Sequence, residues 1–154
     1  MTEMPGIGAT ARDFELPSTQ GQVRLSDLTT NGKVVLAFYE EDNTPLCFNQ
    51  VTVLKEDYEL MRQLRTEVVA VSADAMDSHL EFEESLGGLP FPLVSDENLE
   101  AAKAYGVLGE DGKRSRRAVF VIDKGAEILH IVPKFEPDNA SQYEEIFAAL
   151  GFDV

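Results

Sequence analysis

Val34-Val35-Leu36-Ala37-Phe38-Tyr39-Glu40-Glu41-Asp42-Asn43-Thr44-Pro45-Leu46-Cys47-Phe48-Asn49-Gln50 is the stretch that decides the fold. It opens with a continuous apolar run rich in β-formers, Val34 to Tyr39, the pattern of a strand buried on both faces. Thr44 then stands where an N-cap is wanted, and Pro45 takes the first helical position, where a missing N–H costs nothing. Val51, Leu54, Tyr58 and Met61 recur at three- and four-residue spacing, one apolar stripe on a helix from Pro45 to about Arg65. A buried strand thus runs through an acidic loop into an amphipathic helix.

Working outward, Asp13 to Leu16 and Val23 to Leu25 alternate around a Gln20-Gly21 turn and predict a hairpin. Ser26-Asp27-Leu28 suits a short helical turn. Downstream of the central helix, Glu67 to Ser72 reads as a second buried strand, and Asp77 to Leu86 as a helix closed by Gly87-Gly88. Phe91 to Val94 predicts a short strand and Glu97 to Tyr105 a helix. Arg117 to Asp123 and Glu127 to Val132 flank Lys124-Gly125 as a second hairpin, and a helix from Ser141 to Leu150 ends the pattern. Strands alternating with helices imply a central mixed sheet covered on both faces. With no repeat or linker visible, residues 1–154 read as one domain.

Composition narrows the function. The chain is 44% apolar and 27% charged, as an ordinary globular protein is, and its formal charge of −15 would repel nucleic acid and an anionic membrane surface. The start, Met1-Thr2-Glu3-Met4-Pro5, shows no secretory leader, and no run approaches a membrane span, which leads to an expectation of a cytoplasmic protein. A single cysteine allows no internal disulfide and fits a reducing compartment. No metal or other cofactor is expected: His79 and His130 lie far apart, and Cys47 has no partner at ligand spacing. His79 is placed on an exposed helix face.

Cys47 falls in the first turn of the central helix, where unpaired N–H groups and the positive end of the helix dipole favour a thiolate. The alternative is a small buried residue that simply packs. Among the cations of Lys113-Arg114-Ser115-Arg116-Arg117, a solvated run, Arg117 stands apart because it opens an apolar strand. From there its fixed N–H donors can hold a thiolate or a peroxide oxygen.

These residues resemble the peroxiredoxins, the alkyl hydroperoxide reductase/thiol-specific antioxidant group, and particularly its bacterioferritin-comigratory-protein-like branch. The likeness runs through Gly8 to Leu16, Val23 to Leu28, Phe91-Pro92-Leu93-Val94-Ser95-Asp96, Ala104-Tyr105-Gly106-Val107 and Arg117 to Asp123, in order. The resemblance implies a thioredoxin-like α/β fold with an N-terminal β-hairpin extension. It also implies a thiol-dependent peroxidase acting on hydrogen peroxide or organic hydroperoxides. Carried onto the signature Pro-x-x-x-Thr/Ser-x-x-Cys, Cys47 would be the peroxidatic thiolate, with Thr44 bonding the thiolate and the peroxide. Arg117 would stabilise charge along the S–O–O line, and Gln50 would help to orient Arg117.

Two positions depart from that pattern. Glu40 replaces the signature proline, opening the site or bringing a carboxylate to it; the simpler expectation is that Glu40 points into solvent. Tyr39 beside it lines the pocket or packs as a core aromatic. Thr52 stands where the branch often has its resolving cysteine, so an external thiol (thioredoxin, glutaredoxin or a small thiol) must recycle a one-cysteine enzyme. The rival reading is a weakly catalytic redox sensor or binding module on the same fold. Monomer and homodimer both stay open.

Overall fold

The computed structural model describes residues 4–151; Met1 to Glu3, part of the start read above for a leader, lie outside them. The N-terminal hairpin is β1 (Glu15–Ser18) and β2 (Gly21–Arg24), followed by α1 (Leu25–Asn31). The apolar run becomes β3 (Lys33–Phe38) and the amphipathic stretch α2 (Pro45–Gln63). Next come β4 (Thr66–Ser72), α3 (Met76–Ser85), β5 (Leu93–Ser95) and α4 (Glu100–Ala104). The closing hairpin is β6 (Ala118–Ile122) with β7 (Ile128–Val132), and α5 (Ala140–Ala149) ends the order.

All seven strands form one sheet in the order β2-β1-β5-β4-β3-β6-β7. β3, β4 and β5 are parallel, and the remaining pairs are antiparallel, so the sheet is mixed as expected. Side chains of β3 alternate between the two faces. Val35, Ala37 and Tyr39 join Val51, Leu54 and Met61 of α2, Phe82 of α3 and Ile146 of α5 in one core. Val34, Leu36 and Phe38 join Leu25, Ala101, Ala102 and Tyr105 in the other, which α1 and α4 cover. This is the thioredoxin-like α/β arrangement, with helices on both faces and a hairpin added at the N-terminal edge.

Most predicted elements stand within a few residues of their expected bounds. α4 does not: it starts at Glu100 and not at Glu97. Leu99 takes a left-handed φ of 58°, and the Asp96 carboxylate accepts the N–H groups of Ala101 at 3.1 Å and Ala102 at 3.0 Å. Asp96 therefore caps the helix from a distance and ends the chain's extended path before it. Gly87 and Gly88, both with φ between 75° and 95°, close α3 as read, and the Gly88 N–H returns to the Glu83 carbonyl at 2.9 Å.

Candidate active site

Strand register sets the face of the sheet on which Arg117 lies. β3 and β6 are antiparallel with Phe38 opposite Ala118, so Arg117 lies one residue beyond the last paired position of β6. Val119 and Val121 point to the core that α2 covers, and period-two alternation sends Arg117 to that same face. Arg117 is thereby placed on the face of the sheet that carries the core of Cys47.

Cys47 lies in the first turn of α2 at 1% exposure, in the core with Tyr39, Val51 and Phe82. It is thus fully buried. Its neighbours Leu46 and Phe48 are exposed. Thr44 occupies the N-cap position, with Pro45 following, and its carbonyl accepts the Phe48 N–H at 2.8 Å. The Thr44 side chain does not cap the helix, however. Its hydroxyl donates to the Glu41 carbonyl at 3.2 Å, so among the described residues the N-terminal amides of α2 keep no side-chain partner.

Arg117 is held on two sides. Its Nη1 donates to the Glu40 carboxylate and its Nε to the Phe135 carbonyl at 3.3 Å. Glu40 is therefore not a free solvent-facing acid, and the arginine neutralises the charge that would oppose a thiolate. The expected Gln50–Arg117 contact is absent among the described residues. Gln50 is fully buried and donates from Nε2 to the Phe38 carbonyl at 3.2 Å, while its Oε1 has no hydrogen-bond partner. Gln50 instead ties α2 to the end of β3. Arg117 and Glu40 both face a cavity of about 560 Å³, with Arg114, Ser115 and Phe135 on its walls.

Beneath the loop lies a polar cluster that sequence reasoning missed. Tyr39 is a core residue whose hydroxyl donates to Asp42 Oδ1 at 2.6 Å. Burial pushes its phenol pKa well above the ordinary value, and the Asp42 carboxylate adds to this, so Tyr39 is a neutral donor. Asp42 Oδ2 also accepts from Ser78 at 2.8 Å and meets His79 Nδ1 at 2.8 Å. His79 Nε2 lies 3.0 Å from the Val94 carbonyl, which only accepts, so that nitrogen carries hydrogen. The Asp42 N–H donates to Asp74 Oδ2 at 2.8 Å, and Asp74 is held in turn by Ser72 at 2.6 Å. His79 is buried, contrary to its expected exposed face. Its spacing with Phe82, three residues on, was the available signal. Asp42, Asp74 and His79 bring ligand-type atoms within 4.8 Å of one another, but those atoms are engaged with each other and with Tyr39, Ser72 and Ser78.

The AhpC/TSA family profile matches residues 7–131. The chain belongs to that family, the peroxiredoxins. The 2-cysteine peroxiredoxin of Chattonella marina var. antiqua is 38% identical over 134 residues, which cover 80% of this chain and 68% of that protein. The 2-Cys peroxiredoxin BAS1 of Spinacia oleracea is 35% identical over 138 residues, 83% of this chain and 52% of that one. The chain thus spans from about half to about two thirds of the length of these plastid relatives. Among solved structures, peroxidoxin BcpB from Mycobacterium tuberculosis superposes with a TM-score of 0.85 at 30% identity, over 98% of this chain and 97% of that one. That likeness supports the bacterioferritin-comigratory-protein-like branch. This peroxiredoxin differs from the plastid relatives in having a single cysteine in its 154 residues, the one-cysteine type. Beside the residues expected at the site, the structure adds Asp42 and His79 below the loop and Glu41, Arg114 and Ser115 above it.

Proposed function

We propose that this protein is a peroxidase in which the Cys47 thiolate attacks the terminal oxygen of hydrogen peroxide or an organic hydroperoxide. The O–O bond breaks as the S–O bond forms, and the departing oxygen takes a proton to leave as water or alcohol. Cys47 becomes a sulfenic acid. Arg117 serves as the fixed donor to the oxygens that gain charge, with Thr44 at the helix start as a second donor once its bond to Glu41 yields. The observation that carries this reading is the guanidinium pinned between Glu40 and Phe135, since Nη2 keeps no acceptor among the described residues. A pinned donor with open N–H groups is preorganised for a charge that arrives during reaction.

Recycling falls to an external thiol, because these 154 residues hold no second cysteine to form an internal disulfide. One thiol condenses with the sulfenic acid and releases water; a second reduces the mixed disulfide and restores Cys47. At 1% exposure the sulfur is out of reach of a protein such as thioredoxin or glutaredoxin. The first turn of α2, which lacks a side-chain cap, must open for that step. A reducing, cytoplasmic setting agrees with this chemistry, and no helix of the described residues is long and apolar enough to cross a membrane. The test is peroxide consumption with dithiothreitol as reductant. Wild-type protein should turn over repeatedly and Cys47→Ser not at all; equal rates would refute the reading.

A further inference from the structure

The loop that delivers Cys47 is stitched to the segment before β6 at consecutive residues. The Tyr39 carbonyl accepts from the buried Ser115 hydroxyl at 2.7 Å. Glu40 pairs with Arg117. Glu41 pairs with Arg114 at 2.6 Å, and Arg114 Nε is steadied from its other side by Asp111 at 3.2 Å. β3 and β6 are paired as far as Phe38 and Ala118, so the segments that extend beyond them start side by side. We propose that Glu40 and Glu41 form an ionic latch that positions Arg117 and the cysteine loop, replacing with charge the rigidity that proline supplies at position 40 of the signature.

The latch rests on the peroxidase reading but makes a separate claim. A carboxylate on the catalytic arginine has two opposite readings. It either withholds the guanidinium from the peroxide or holds it in place. Geometry favours holding. A guanidinium has five N–H donors; the Glu40 contact is on Nη1 and the Phe135 carbonyl takes Nε, leaving Nη2 open among the described residues. Both ion pairs are partly exposed, with Arg117 and Glu40 at 24% and 39% and Arg114 and Glu41 at 41% and 46%. Salt therefore screens them, whereas the proline it replaces is indifferent to salt.

Hydrogen peroxide is uncharged, so salt does not alter its approach by steering, and any salt dependence reports on the site. The experiment is the second-order rate of Cys47 oxidation by hydrogen peroxide between about 50 mM and about 1 M sodium chloride. Wild-type protein should slow by about two- to fivefold across that range, the size expected from exposed pairs. Glu40→Gln and Glu41→Gln should be slower at low salt by a similar factor, with most of the salt dependence gone and thermal midpoints within about 3 °C of wild type. Glu59→Gln, an exposed acid on α2, should behave as wild type. A reactive Cys47 whose rate ignores salt, or a Glu40→Gln variant that is faster than wild type, overturns the latch alone. A wild-type Cys47 no more reactive than a free thiol overturns the peroxidase reading and the latch with it.

Discussion

Asp42→Asn removes one charge and almost no volume, yet it should be among the most damaging substitutions in the chain. The Asp42 carboxylate sits in the core and meets Tyr39 at 2.6 Å, Ser78 at 2.8 Å and His79 at 2.8 Å. An asparagine offers one acceptor oxygen to these groups and turns an N–H₂ toward the rest. Hydrogen bonds to a charged group are worth about 1.5–3 kcal/mol each, and breaking a buried pair from one side costs about 3–5 kcal/mol. The terms share atoms and do not add, so we take about 3–5 kcal/mol as the loss. At roughly 2–4 °C per kcal/mol for a chain of this size, the thermal midpoint should fall by about 6–20 °C. The Asp42 N–H bond to Asp74 survives the change, which isolates the side chain as the cause. Urea unfolding of the single variant, of His79→Phe and of the double variant measures both the loss and the coupling. A loss below about 1 kcal/mol, or additive effects of the two changes, would refute the reasoning.

Other outcomes follow from the same geometry. Arg117→Lys should slow Cys47 oxidation by about a hundredfold, because an ammonium cannot keep the Glu40 and Phe135 contacts while offering a planar donor edge; stopped-flow oxidation rates check this. Ser115→Ala leaves the buried Tyr39 carbonyl without its side-chain donor and should cost about 1–3 kcal/mol in denaturant unfolding. Gly32→Ala should cost about 1–3 kcal/mol for a steric reason, since a Cβ there would sit 2.4 Å from the Arg65 carbonyl oxygen.

The parts of this fold that were readable in the sequence are those set by local periodicity. Val34 to Tyr39 and the Val51-Leu54-Tyr58-Met61 stripe announce β3 and α2 because burial imposes a pattern on each element by itself. Arg117 stands out in the sequence for a similar reason, as a cation opening an apolar strand. The partners of these residues do not. Gln50 has the spacing to reach the active site, but its amide goes to the Phe38 carbonyl, and Glu40 takes the arginine. That choice depends on how two strand ends continue past the sheet. His79 was misread because Asp77, Glu81, Glu83 and Glu84 surround it in sequence and make its helix look solvated. Its burial needs Asp42 and Val94, which arrive from distant segments. Thr44 shows the complementary limit: its backbone is at the N-cap as the sequence predicts, but its hydroxyl turns to Glu41.

The measurement that bears most directly on the account is the rate at which hydrogen peroxide oxidises Cys47, followed by intact-mass spectrometry against a free cysteine peptide. Preorganised donors at the reacting cysteine predict stoichiometric addition of one oxygen, at least about a hundredfold faster than the peptide. Oxidation at the peptide's rate would mean that the fold positions Cys47 as a packed core residue, and the peroxidase account would be wrong.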